Sequence, residues 1–183
     1  MSFRYELRLS GSGGQGLILA GKILAEAAAI YDGKNATQSQ SYGPEARGGS
    51  SRSEVIISDE DIDYPKAVNI DFLLAFTQEA CDKYARDTKE NGIILIDSDY
   101  VTKCPEGKFK IYSLPITDIA EKEVGKTLVA NIVALGIITE LARVVSKEAV
   151  ESAILSRVPK GTEELNLKAF RAGITAAQKI KQA

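Results

Sequence analysis

Two short, unbroken apolar runs constrain this chain more than any other feature: Phe72-Leu73-Leu74-Ala75-Phe76 and Ile93-Ile94-Leu95-Ile96, the latter ending on Asp97. Each is too short for a buried helix and shows no polar alternation, the pattern of a strand covered on both faces in a largely parallel sheet. Parallel neighbours need crossover connections, usually helical. Gln78 to Lys89 supplies one such segment, with Asn91-Gly92 as its stop. Upstream, Tyr5-Glu6-Leu7-Arg8-Leu9 alternates as a strand with one buried face does, and Glu54 to Ser58 and Lys108 to Ser113 are further strand candidates. Helical periodicity or composition marks four more segments. These are Leu17 to Ile30, stopped by Asp32-Gly33; Thr127 to Val145, with Leu128, Ile132, Leu135, Ile138 and Leu141 on one face; Ser146 to Ser156, opened by an N-cap serine; and Glu163 to Lys181. Strands alternating with helices imply an α/β fold, here a single three-layer α/β/α domain over residues 1–183 with a largely parallel or mixed sheet.

Composition removes several chemistries. The 23 Lys+Arg against 25 Asp+Glu leave a net charge of −2, which argues against the broad basic surface of a non-specific nucleic-acid binder. With no histidine there is no Ser-His-Asp or Cys-His nucleophile and no His-ligated metal. Cys81 and Cys104 lie far apart and have no CxxC neighbour, so the chain does not supply a four-cysteine cluster. They read as ordinary residues, with a regulatory disulfide as the alternative. The acidic run Asp59-Glu60-Asp61 reads as a solvated turn and not as a metal site. Residues 1–16 are too polar for a signal peptide, and no run reaches the roughly 18 apolar residues that span a bilayer. The expectation is a cytoplasmic protein without membrane contact.

Two polar constellations stand out against this framework. Gly11-Ser12-Gly13-Gly14-Gln15-Gly16 falls between a strand and a helix, a Rossmann-like glycine loop in which Gly11, Gly13 and Gly16 fit G-x-G-x-x-G. Glycines there permit a tight turn, and the following helix N-terminus presents free N–H groups to an anion. The same glycines also serve close helix–sheet packing alone. A dinucleotide site further demands an acidic residue about 20 positions on, at the tip of the second strand. This chain has Thr37, Gln38, Ser39 and Gln40 in that region, and Asp32 belongs to the preceding turn, so NAD(P) is disfavoured.

Residues 35–53 carry almost no large aliphatic side chain and read as a polar strand followed by a long loop. Within it, Tyr42-Gly43-Pro44-Glu45-Ala46-Arg47-Gly48-Gly49 combines a rigid turn, a carboxylate and guanidinium two positions apart, and a glycine pair. Arg47 offers a planar fork to a phosphate or carboxylate, and Tyr42 a hydroxyl or stacking face. The competing reading is an ordered loop whose Glu45 and Arg47 pair with each other or with another subunit.

The glycine loop, the stretch Ser41 to Gly49, Ser53-Glu54-Val55-Ile56-Ile57-Ser58 and the later Asn131-Ile132-Val133-Ala134-Leu135-Gly136 occur in this order over essentially the whole chain. Together they resemble the gamma subunit of the 2-oxoacid:ferredoxin oxidoreductases. Gln40 and the Asp63-Tyr64-Pro65 turn are most similar to the 2-oxoglutarate members. The resemblance implies an enzyme of several chains that oxidatively decarboxylates a 2-oxoacid, 2-oxoglutarate to succinyl-CoA in this case, with reduction of ferredoxin. It places thiamine diphosphate between alpha and beta subunits and iron–sulfur clusters on beta or on a ferredoxin-like delta subunit.

For this chain the resemblance implies no catalytic residue and no metal. It implies a role in assembly, with a share in the coenzyme A channel as the further reading. Gly11, Gly13, Gly14, Gln15 and Gly16 would offer N–H donors, Arg47 and Arg52 cationic donors, and Tyr42, Gly48 and Gly49 close approach to a ligand or to the alpha subunit. Docking of sister subunits through both loops is the alternative. A member acting on pyruvate, a branched-chain 2-oxoacid or indolepyruvate, and an independent phosphate- or nucleotide-binding module, are the other readings. Asn131, an amide on an apolar helix, either orients the glycine loop or caps a neighbour.

Overall fold

The computed structural model describes residues 2–42 and 50–183, with the backbone alone described at Tyr42. Six strands form one sheet in the order β2-β3-β1-β4-β5-β6. These are β1 (Arg4–Ser12), β2 (Asn35–Tyr42), β3 (Ser50–Ser58), β4 (Ile70–Ala75), β5 (Thr88–Asp97) and β6 (Lys110–Leu114). Strands β1, β4, β5 and β6 run parallel, as the apolar runs require, whereas β3 is antiparallel to both β1 and β2. The sheet is therefore mixed.

Six α-helices are seen among the described residues: α1 (Leu17–Glu26), α2 (Gln78–Tyr84), α3 (Ile116–Ile119), α4 (Ala130–Ala142), α5 (Lys147–Arg157) and α6 (Glu163–Gln182). Alternation along the strands sorts the side chains to two faces. Leu7, Leu9, Val55, Ile57, Phe72, Leu74 and Leu95 join the larger core under α1, α4, α5 and α6. Ile56, Leu73, Ala75, Ile94 and Ile96 join a smaller one with Ala80, Cys81 and Tyr84 of α2. The α/β/α layering expected from sequence is present, with unequal layers.

Several boundaries differ from the sequence expectation, each for a local reason. The segment from Gln78 is helical only to Tyr84, followed by a 3₁₀ turn over Ala85–Asp87, and β5 already begins at Thr88. Asn91-Gly92 is thus no helix stop. Asn91 adopts φ +67° inside β5, opposite the register shift between Ile70 and Phe72, and its N–H bonds Lys108 O at 2.7 Å. The helix expected from Thr127 to Val145 starts as a 3₁₀ turn over Thr127–Val129 and ends at Ala142, where Arg143 takes a left-handed conformation. Leu128 is consequently rotated off the apolar face and is 79% exposed. Pairing with β2 and β1 extends β3 back to Ser50, so the described part of the polar stretch from Asn35 is sheet. Ile116–Ile119 with its continuation to Val124 was not anticipated, being too short to show a period.

Two glycines let α4 and α6 cross with their backbones touching. A Cβ at Gly136 would collide with Phe170 O, one at Gly173 with Val133 O, and each would also lie 3.1 Å from the Cα of the other glycine. Buried Phe170, Ala169 and Ala177 fill the flanks of this crossing. Near the end of α4, the carboxylate of Glu140 is 6% exposed and lies 2.9 Å from Lys147 of α5, 3.5 Å from Arg143 and 3.7 Å from Lys181 of α6. The Lys147 hydrogen bond, against the opposing effect of desolvation, holds its carboxyl below the usual carboxylate range, with the charges of Lys147, Lys181 and Arg143 adding to the pull.

Gly173→Ala should lower unfolding free energy by about 2 kcal/mol in urea titration, because the added methyl meets backbone that has no rotamer to yield. Glu140 has a lowered folded-state pKa, so its stabilisation is full above the unfolded carboxylate value of about 4.3 and is lost as pH falls through the lower folded value. Glu140→Gln should therefore be less stable than wild type at pH 7, with the gap closing in acid. A gap independent of pH would contradict this account.

Candidate functional site

The glycine loop is built by the end of β1 and the start of α1. Gly11 and Ser12 still pair with Ser51 and Ser50 of β3, so the turn proper is Gly13-Gly14-Gln15-Gly16. Gly14 and Gly16 have φ of +85° and +72°, a left-handed backbone that side chains other than glycine's rarely take. Gln15 folds back and its Oε1 accepts from Ser12 N at 2.7 Å. That amide occupies the space a Cβ on Gly11 would need.

Under the turn lies Asn131 of α4, 5% exposed, whose Nδ2 donates to Gly16 O at 3.0 Å. A Cβ on Gly16 would strike this same amide. Of the two roles open to Asn131, the observed one is orientation of the glycine loop. Gly13 and Gly14 are left exposed above it. Gly16 caps α1 without any side-chain hydrogen bond, and the first turn of α1 holds no acidic residue. Among the described residues no side chain caps the N-terminal end of α1, which suits an anion.

A cleft of about 250 Å³ adjoins the turn, lined by Gly14, Gln15, Phe76, Tyr100, Thr117 and Leu128 among others. It sits at the C-terminal ends of β1 and β4, the edge where open α/β sheets receive ligands. Tyr100 and Leu128 are 55% and 79% exposed and form an apolar rim. The volume falls below the roughly 300–1,000 Å³ that encloses a drug-sized ligand, so the cleft suits one end of a larger molecule. Wider grooves, of about 460 Å³ between the end of β6 and α6 and 580 Å³ beside Glu140, are lined by no residue of the glycine turn.

Sequence reasoning missed the far wall of this cleft, because Tyr100, Thr117 and Leu128 belong to separate segments with no shared motif. Asp97 fixes that wall. Fully buried at the end of β5, it accepts from Asp99 N, Ile116 N and Thr117 N at 3.1, 3.1 and 3.2 Å and from Thr117 Oγ1 at 2.6 Å. Burial pushes its carboxyl up, while the hydrogen bonds from Thr117 and Asp99 pull it down.

The other sequence-derived residues are distributed as follows. Arg47, Gly48 and Gly49 lie outside the described residues, as does the side chain of Tyr42. The flanking strands nevertheless fix the region: Tyr42 and Ser12 pair with Ser51 and Ser50 at adjacent register positions, so β2 ends and β3 begins beside the glycine loop. Arg52 shares the α2 face with Arg8. Its Nε lies 3.2 Å from Glu54 Oε1 and its guanidinium 5.5 Å from the Tyr84 ring centroid. It is not brought together with the glycine turn, since Ser53, its neighbour, faces Gly21 of α1 on the opposite side.

Asp32 accepts from Ser146 N and Oγ at 2.7 and 2.8 Å and so anchors α5, before the start of β2 and not at its tip. Antiparallel β3 stands between β1 and β2, where a dinucleotide fold has its second parallel strand. No group of three or more potential metal ligands occurs among the described residues, and no described helix is long and apolar enough to cross a membrane.

Sheet, loop and cleft define an α/β protein with an anion-suited glycine turn on a mixed sheet, distinct from the dinucleotide folds. The chain matches the family model described as pyruvate ferredoxin/flavodoxin oxidoreductase over residues 6–176, and it belongs to that family. It is 55% identical over 182 residues to 2-oxoglutarate synthase subunit KorC of Methanocaldococcus jannaschii, covering 98% of this chain and 97% of that one. The KorC subunit of Methanothermobacter marburgensis is 49% identical over 176 residues, covering 93% and 95%. Among solved structures, the gamma subunit of a keto/oxoacid ferredoxin oxidoreductase from Geobacter sulfurreducens matches with a TM-score of 0.87 at 59% identity, covering 96% of this chain and 99% of that one. These relatives are subunits of oxidoreductases, and the likeness makes this chain a gamma-type member of the family.

Asn131→Ala should leave Gly16 O with the Ala20 N–H alone and remove the amide that supports the turn from α4. We expect a loss of about 1–2 kcal/mol in stability and faster amide exchange in the residue 13–17 turn. Unchanged exchange there would remove Asn131 from its positioning role.

Proposed function

We propose that this chain is the gamma subunit of a thiamine diphosphate-dependent 2-oxoglutarate:ferredoxin oxidoreductase, which converts 2-oxoglutarate and coenzyme A to succinyl-CoA while reducing ferredoxin. The observation that carries this reading is the 55% identity with a 2-oxoglutarate synthase subunit over nearly the full length of both chains. Two cysteines and no histidine do not fit a four-cysteine cluster. That agrees with the division of labour the family resemblance implies, in which thiamine diphosphate and the clusters belong to the alpha and beta subunits or to a ferredoxin-like delta subunit and the chain alone is inactive. A cytoplasmic site of action goes with this reading.

Within the complex, the chain's own contribution is to shape the coenzyme A channel. Coenzyme A supplies the acyl-accepting thiol and carries a pyrophosphate and a 3′-phosphate. The exposed peptides of Gly13 and Gly14 and the uncapped start of α1 suit a phosphate, and Arg47 adds a cationic fork from the segment flanked by β2 and β3. The apolar rim of Tyr100 and Leu128 suits the less polar parts of the molecule.

Arg47→Ala in the assembled complex should raise the apparent coenzyme A requirement about tenfold, the loss of one charge-assisted hydrogen bond, with subunit assembly intact. Dissociated subunits with an unchanged requirement would instead make the loop a docking surface. Initial rates with 2-oxoglutarate, pyruvate and branched-chain 2-oxoacids, read as ferredoxin reduction, test the substrate. A preference for pyruvate would overturn the assignment.

A further inference from the structure

Cys81 and Cys104 are both free, yet their sulfurs lie 3.4 Å apart, Cys81 on α2 and Cys104 on the segment after β5. The contact does not depend on the sulfurs. Gln78, one turn before Cys81, clamps the opposing segment. Its Oε1 accepts from Thr102 N and Lys103 N at 2.9 and 3.1 Å, and its Nε2 donates to Lys103 O at 2.7 Å and Asp82 Oδ1 at 2.8 Å. The two backbones are therefore held in place before any bond forms. Closing 3.4 Å to a bond of about 2.0 Å asks the sulfurs to approach by about 1.4 Å.

Access is asymmetric. Cys81 is fully buried, whereas Cys104 is partly exposed. A hollow of about 370 Å³ beside Cys104 is lined by Asp82, Arg86, Lys103 and Pro105. It has room for a small adduct, and its two cations suit the carboxylates of a glutathione-type disulfide.

We propose that Cys81 and Cys104 are a dithiol that closes to an intrachain disulfide by exchange with a low-molecular-weight disulfide. The Cys104 thiolate attacks one sulfur of the oxidant, forming a mixed disulfide and displacing one thiolate, which takes up the proton Cys104 gave up. Cys81 then attacks Cys104 Sγ, the mixed bond breaks, and the second small thiol leaves with the Cys81 proton. The protein loses two electrons and two protons, and one small disulfide becomes two thiols.

Burial pushes the Cys81 thiol up to about 12, with the Cys104 hydrogen bond and Asp82 adding to it, and it pushes Cys104 up as well. Exchange is therefore slow at neutral pH and accelerates in alkali, and the closed bond resists re-reduction because both leaving thiols are basic. The charged groups facing the pair are Asp82 on α2, Arg86 on the 3₁₀ turn that follows it and Lys103 on the opposing segment. The bond would cross-link α2 to the segment that carries Tyr100 to the rim of the glycine-loop cleft.

The test uses the reduced full-length chain, folded, with oxidised glutathione at mildly alkaline pH. Expected are loss of both titratable thiols, an intact mass lower by two hydrogens, a cross-linked Cys81–Cys104 peptide and a Tm higher by on the order of 5 °C. Cys104→Ser should keep Cys81 as a free thiol under the same conditions. The proposal is overturned if the folded chain keeps both thiols while urea-unfolded chain oxidises, if a glutathione adduct on Cys104 persists unresolved, or if the product is a disulfide-linked dimer.

Discussion

The contact between Asn131 and Gly16 joins two parts of the chain separated by 115 residues, and the arrangement of the site depends on it. Without a Cβ, Gly16 takes the left-handed turn into α1 and leaves room for the amide beneath it. The amide in turn sits on a helix that is nearly all buried. The orientation of the exposed Gly13-Gly14 turn is thereby set by the packing of α4 against α6, whose backbones touch through Gly136 and Gly173.

The two faces of the sheet are stabilised by different physics. The face under α1, α4, α5 and α6 is almost wholly apolar. The α2 face buries Arg8, whose guanidinium reaches Asp87 at 2.7 Å and Glu54 at 3.2 Å and stands 4.9 Å from the Tyr84 ring. Glu6, two residues earlier, accepts from Arg4 and from the N–H groups of Val68 and Asn69. Paired and hydrogen-bonded in this way, charges on the alternate positions of β1 are tolerated inside the protein. This pairing also accounts for Arg52, which resembles a free cation in sequence but shares Glu54 with Arg8.

Local patterns were legible wherever one segment alone carries the information. The apolar runs at 72–76 and 93–97, the Ser146 cap and the last helix match the structure, whereas β1 forms as its alternation predicts but is buried on both faces, Glu6 and Arg8 included. Legibility failed where a neighbour decides. Asn91-Gly92 has the composition of a helix stop, but pairing with β4 and the Lys108 carbonyl keeps it inside a strand. Leu128 has the spacing of a core residue, but the chain tightens into a 3₁₀ turn before α4 and turns it outward.

The sequence by itself determined the α/β class, the glycine turn between strand and helix, and the family, because strand and helix periods, glycine requirements and an ordered set of motifs are written in consecutive residues. Tertiary structure alone decided that β3 enters antiparallel between β1 and β2, that Tyr100, Thr117 and Leu128 face the glycine turn, and that two cysteines 23 positions apart come into contact. Strand order and convergence of distant side chains are set by which surfaces exclude water from one another. That is a property of the packed chain and not of any one segment.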